Sequence, residues 1–319
     1  MTAATGMASA HPASPPGQWP LRPQQTLQRQ VVIRGRGYWS GQENRVELRP
    51  AGANAGIVFV RDDLGGLRVP ATLGYRVEAS SRTNLQAGAA TVEMVEHLLS
   101  SLAGLGIDCC EVGLTAGELP GLDGSAAAYV EAIDRAGIAS LEEPISPLVV
   151  TSPIRISDPG SPAWIEAMPP TLPGLSVSYE LEYPGQPIPP QQFGTTITPQ
   201  QYRDELAAAR TFLPEEDARR LQASGRGLTV STADLLVFGP AGPIGNTLHW
   251  PDECARHKAL DVVGDLALAG RPIWADVRAS RSGHRLNAAL AAAVLAADKT
   301  DPSLPLAGGT AEPEGGSNG

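Results

Sequence analysis

The sequence predicts an α+β protein of two units, each a β-sheet layered with α-helices. In each half, runs of short apolar strands precede helices, and a proline-bearing connector separates the halves. The 319 residues suit two domains, and 42% hydrophobic residues are enough to bury their cores. The 35 glycines and 29 prolines demand many irregular connections and tails.

Residues 1–27 lack the basic start and apolar run of a secretory signal and read as a disordered tail. The first unit, 28–146, opens with strands between 29 and 77, where Val31 to Ile33, Val46 with Leu48, and Ile57 to Val60 are separated by turn residues. Val92, Val95, Leu98, Leu99 and Leu102 then recur at helical spacing, predicting a helix over 92–105 stopped by Gly104 and Gly106. A strand at 111–114, a turn at 121–124 and a helix over 125–136 follow, with Asp123 placed to cap that helix. The connector is EEPISP, 142–147.

The second unit, 147–298, begins with VVTSPIRI and SVSYELEY, whose alternation at Val177, Tyr179, Leu181 and Tyr183 predicts half-exposed antiparallel strands. Helices are expected at 199–209, 215–223 and 252–269, the second with proline and acids in its first turn. The Ala/Leu stretch 286–297 is too short to span a bilayer and reads as a core or terminal helix. Residues 299–319, rich in Gly, Pro and Ser, read as a second disordered tail. No internal repeat aligns between the two units.

A formal charge of -10 disfavours nucleic acid and anionic membranes as general partners, and no segment marks an obligate protein partner. The three cysteines, Cys109, Cys110 and Cys254, form neither a disulfide framework nor a CxxC metal pattern, which fits a reducing cytoplasm.

The chemistry concentrates in 257–265, where His257, Asp261 and Asp265 share one helix face at spacings of four. An imidazole and a carboxylate one turn apart can both point at a divalent metal such as zinc, although an isolated HxxxD is more often an ordinary His–Asp pair. Glu96-His97 offers a third ligand with a neighbouring carboxylate that could act as base toward a water, which would put the site between the units. Of the five histidines, His11 falls in the tail and His249 in a turn, leaving His97, His257 and His284. Lys258 is one of only two lysines, and such a compact point charge among so many arginines suggests a specific use. Thr211 could donate to an oxyanion or merely end a helix. Leu221, Leu228, Leu235 and Leu236, in the excursion over 213–238, could wall an acyl tunnel or complete the core.

EHLLSSLAGLGID, LPGLDGSAAAYV, ARTF, RHKALDVVGDLALAG and SGHRLN together resemble the zinc-dependent UDP-3-O-acyl-N-acetylglucosamine deacetylase family of lipid A synthesis, in the family's order from about residue 26 to 297. The resemblance implies two similarly folded α+β domains with the active site between them. It implies zinc held by His97, His257 and Asp261, Glu96 as general base, His284 as general acid oriented by Asp265, and Lys258 and Thr211 lining the site. Phe212 and the excursion after it correspond to the family's passage for the 3-O-acyl chain, and the implied substrate is UDP-3-O-acyl-N-acetylglucosamine.

Two segments depart from the family pattern. The early glycine-rich turn reads Gly37-Tyr38-Trp39-Ser40-Gly41, with Trp39 where the family usually carries His, and the usual Thr-Thr-Leu is altered in Arg82-Thr83-Asn84-Leu85. Neither change is expected to touch the metal set or base. The competing readings are a zinc amidohydrolase acting on another N-acyl sugar and a non-catalytic sugar-nucleotide or acyl-ligand binding protein.

Overall fold

The structure, a computed structural model, describes residues 19–298. Two sheets with the same strand topology dominate it. In the first half, Val31–Arg36, Glu43–Pro50, Cys110–Leu114, Ile57–Arg61 and Leu67–Pro70 lie in that spatial order. In the second half the order is Ile154–Ser157, Trp164–Met168, Ile273–Ser280, Leu175–Leu181 and Gln191–Thr196, with Leu148–Val149 also pairing on Ile273–Ser280. Each sheet is therefore two hairpins with a later strand inserted between them. That central strand runs antiparallel to one neighbour and parallel to the other in both halves.

Helices complete the correspondence. Helix α1 (Glu96–Gly104) precedes the central strand of the first sheet and α2 (Ala127–Ala136) follows it. The second half carries α3 (Pro199–Gln201), α4 (Glu215–Ala223), α5 (Glu253–Leu266) and α6 (His284–Ala297), with α5 before the central strand and α6 after it. Inward residues of both sheets, Val46, Leu48, Val112 and Leu114 in one and Ile165, Ala167, Val277 and Ala279 in the other, are almost fully buried, as alternation on a one-sided sheet requires.

Helices α1 and α5 occupy equivalent places in their halves and pack on each other. A Cβ on Gly264 would lie 2.1 Å from the carbonyl oxygen of Glu96, so a side chain there would push the helices apart. The Ser100 hydroxyl donates to the Leu260 carbonyl at 2.8 Å and accepts from the Tyr202 hydroxyl at 2.9 Å, satisfying polar groups that burial would otherwise strand. Close approach without bulk brings the start of α1 beside the middle of α5.

Several boundaries differ from expectation, each for a physical reason. Residues 90–93 form a strand, Ala90–Glu93, paired with Asn84–Ala87, and α1 begins only at Glu96. Val92 and Val95 are both fully buried, but Met94 between them turns at a φ of 60° and interrupts the single helix their spacing suggested. The helix expected over 199–209 is α3 followed by a wider turn, Tyr202–Leu206, after which the chain leaves helical geometry. Asp123 does not cap α2 directly; its carboxylate holds Ser125, whose hydroxyl accepts from the Ala127 amide.

The tail drawn over 1–27 ends too late, because Pro23–Leu27 is a strand paired antiparallel with Ile138–Pro144. Polar Gln24 and Thr26 are buried there by pairing and side-chain hydrogen bonds rather than by apolarity, which composition does not reveal. The same pairing draws the first residues of the expected connector into a strand. Residues 1–18 and the tail expected at 299–319 lie outside the described residues. Among the described residues, no helix is long and apolar enough to cross a membrane.

Candidate active site

His97, in the first turn of α1, meets His257 and Asp261 on one face of α5. His97 Nε2 lies 3.8 Å and His257 Nε2 3.7 Å from the same oxygen, Asp261 Oδ1. Ligands about 2.0–2.2 Å from one tetrahedral zinc sit about 3.3–3.6 Å apart, so small shifts would close the set on an ion. Asp261 Oδ1 is buried without a hydrogen-bond partner, and among the described residues these three form the only His/Cys/Asp/Glu group of this kind. A buried anionic oxygen is costly to leave unpaired, which is the observation that a cation there would explain.

Neighbours set the state of each of the three side chains. His257 Nδ1 donates to the Ala209 carbonyl at 3.1 Å, which fixes the tautomer and leaves the Nε2 lone pair to face the cluster. Burial, reinforced by neighbouring His257, pushes His97 down to about 3, and burial also lowers His257, so both rings are neutral near pH 7. Burial alone would raise Asp261, but Lys258, with protonated His284 nearby, holds it well below the usual carboxylate range. Lys258 Nζ donates to Asp261 Oδ2 at 2.7 Å, and despite burial the Asp261 charge keeps its amine above the ordinary lysine value.

Glu96 stands beside His97 with Oε2 accepting from the Thr83 amide at 3.0 Å, and burial raises it to about 7. His284, the first residue of α6, donates from Nδ1 to Asp265 Oδ2 at 2.9 Å. Burial opposes its charge, but the Asp265 carboxylate outweighs burial and lifts His284 to about 9. The Thr211 hydroxyl donates to the Gly124 carbonyl at 3.0 Å and lies 3.3 Å from His257 Nε2. Phe212 packs edge-on against the His257 ring, with centroids 6.0 Å apart.

A single cavity of about 1180 Å³ is lined by Glu96, His97, His257, Lys258, Asp261 and His284, and also by Thr211 and Phe212. Asp265 is fully buried behind it, touching His284. The cavity continues into the excursion, where Phe212–Pro214, Leu236–Gly239 and Gly242–Pro243 form a small sheet with α4 alongside. Leu221 and Leu235 line it. Leu228 does not, being 69% exposed, and Leu236 is buried in the core, so two of the four leucines considered for the passage wall are not part of it.

Sequence reasoning missed the residues that join Glu96 to the Asp265–His284 pair. Thr83, fully buried, donates its amide to Glu96 and its hydroxyl to Asp265 Oδ1 at 2.6 Å, so the altered segment Arg82 to Leu85 does touch Glu96, contrary to expectation. Asn287 donates to Asp265 Oδ2 at 2.9 Å. Asn287 stood inside SGHRLN, one helical turn beyond His284, but nothing in that motif shows that both side chains converge on a carboxylate from α5. Arg210 also went unnoticed. Its guanidinium is paired with fully buried Glu253 at 2.8 Å and donates to Asn246 and to the Thr247 carbonyl, which fixes the residue immediately before Thr211.

Two matched halves bring together, on α1 and α5, a buried His–His–Asp group able to hold a metal ion, with a carboxylate and a charged imidazole beside it, the arrangement of a metal-dependent hydrolase class. The chain is matched over residues 24–296 by the family model of UDP-3-O-acyl N-acetylglycosamine deacetylase, LpxC, and it belongs to that family. It is 36% identical over 285 residues to the UDP-3-O-acyl-N-acetylglucosamine deacetylase of Solibacter usitatus, covering 89% of this chain and 94% of the relative. It is 38% identical to the enzyme of that name from Anaeromyxobacter dehalogenans, covering 86% of this chain and 87% of the relative. For Chlamydia caviae the identity is 36%, with 86% and 97% covered.

Proposed function

We propose that this chain is a zinc-dependent N-deacetylase that hydrolyses UDP-3-O-acyl-N-acetylglucosamine to the free amine and acetate in lipid A synthesis. The observation that carries the reading is Asp261 Oδ1, buried, unpartnered and faced by two neutral imidazoles, beside a carboxylate and an imidazolium suited to base and acid. His97, His257 and Asp261 would hold the ion. Zinc supplies Lewis acidity toward a water and toward the acetamide carbonyl.

The protein's own residues do the rest. Glu96, with Oε2 held by the Thr83 amide, takes the proton of the attacking water; near neutrality it is divided between carboxylate and acid, as a base operating at that pH should be. The Thr211 hydroxyl turns from the Gly124 carbonyl to the developing oxyanion. His284 is protonated at neutral pH with Nδ1 committed to Asp265, so Nε2 carries the proton for the departing glucosamine nitrogen. Lys258 steadies Asp261 and presents its charge to the substrate side of the cavity. Phe212 and the apolar excursion wall take the 3-O-acyl chain.

Three free, buried cysteines fit a reducing cytoplasm as the place of reaction. The test is acetate release from the UDP-linked substrate before and after chelation and on return of zinc. Release that is lost with the metal and restored with it supports the reading; release from a simple N-acyl sugar at the same efficiency would favour a broader amidohydrolase.

A further inference from the structure

The two departures from the family pattern meet in space. The Arg82 guanidinium carbon lies 4.5 Å from the centroid of the Trp39 ring, and that of Arg226, from the excursion, lies 5.7 Å from it. Cations over an indole face are attracted by its quadrupole, so Trp39 ties a segment of the first half to one of the second.

The turn carrying Trp39 is fixed from behind. Glu118, itself buried, accepts from the amides of Trp39 and Ser40, both at 2.7 Å. A Cβ on Gly37 would come within 2.3 Å of that carboxylate, so glycine is required for the grip. On the other side the turn holds the excursion. The Tyr38 hydroxyl donates to the Asp234 carbonyl, and Gly41, at a φ of 65°, lies so close to Thr229 that a Cβ would sit 3.3 Å from its side chain.

Trp39 also lines the cavity, together with Arg226 and with Leu221, Val230 and Leu235 of the excursion. Its partner Arg82 is held by Glu93 at 2.8 Å and immediately precedes Thr83, which touches the base. A large ring in contact with cations from both halves cannot swing away for a ligand without breaking contacts in both.

We propose that Trp39 is a specificity-determining residue for the acyl chain, its clamped indole limiting the room where the excursion meets the first half. The inference rests on the proposed substrate class and adds to it that the upper limit of chain length or branching is set from the first half, not by the excursion alone. Trp39→Ala opens that wall, and Arg226→Gln loosens the clamp without altering a buried residue.

The experiment measures binding by calorimetry for a series of 3-hydroxy fatty acids of increasing length, with wild type, Trp39→Ala, Trp39→Phe and Arg226→Gln. Each further methylene admitted strengthens binding about fourfold. The optimum should move to longer chains in Trp39→Ala, move less in Arg226→Gln, and stay nearest to wild type in Trp39→Phe. Arg226 is exposed, so its variant tests the clamp even if Trp39→Ala fails to fold. An unchanged length profile in Arg226→Gln and in every folded Trp39 variant would overturn the proposal. Acetate release from the UDP-linked substrate, run in parallel on wild type, decides the deacetylase reading separately, since fatty-acid binding needs no turnover.

Discussion

Thr83 and Asp265, from opposite halves of the chain, share a hydrogen bond of 2.6 Å, while the amide of the same threonine holds Glu96. Glu96 and the carboxylate that pairs with His284 are thereby positioned by one buried residue. Thr83→Val keeps the shape and the amide but leaves Asp265 one donor short. Removing such a supporting partner costs about 10–100-fold in comparable sites, so kcat should fall by that order with KM little changed. Thr83→Ser should restore most of it; steady-state kinetics of both variants checks this.

Metal content should track the three ligands. With His257 replaced by Ala, two ligands remain and cannot hold the open site firmly. Zinc per chain, measured by elemental analysis, should fall from about one toward zero, while Lys258→Met, which removes only a neighbour of Asp261, should lower it less. Undiminished zinc in His257→Ala would remove that residue from the set.

The rate should be bell-shaped in pH, because Glu96 acts as carboxylate and His284 as imidazolium. With His284 raised to about 9, activity is lost as pH rises through that value and the acid loses its proton. Asp265→Asn removes the charge that raises it, so the alkaline limb moves to lower pH and the peak falls. A bound dication lowers both limbs together, so the comparison between wild type and variant carries the test. An alkaline limb that stays in place in Asp265→Asn would detach it from His284.

Breaking the buried Arg210–Glu253 pair should destabilise the fold. Glu253 is fully buried and accepts from the backbone and guanidinium of Arg210 and from the His249 amide. Arg210→Ala would leave that carboxylate without its cation, a change that costs about 3–5 kcal/mol. Denaturant unfolding measures it. A loss under about 1 kcal/mol would mean that water replaces the guanidinium.

The sequence made the helical face of His257, Asp261 and Asp265 legible because a helix maps spacing onto direction. It also showed α4 with its bounds intact, since proline and acids mark the start of Glu215–Ala223. The meeting of α1 with α5 was expected from Glu96-His97 as a third ligand, but its cause was hidden: it depends on Gly264, whose importance lies in the absence of a side chain. The likeness of the two sheets was legible only through the family resemblance and not through an aligned repeat, because pairing topology constrains hydrogen bonds and burial but not residue identity. Buried polar strands such as Pro23–Leu27 resemble tails in composition. Thr83 could not be placed because both its partners are remote in sequence or satisfied through its backbone.

Acetate release by zinc-loaded wild type and zinc-loaded Glu96→Gln, on UDP-3-O-acyl-N-acetylglucosamine, tests the central claim most directly. The glutamine keeps the shape beside His97 but cannot accept the proton, so zinc should stay near one per chain while kcat falls about 10²–10⁴-fold. No acetate from the wild type, or an undiminished rate in Glu96→Gln, would contradict the account.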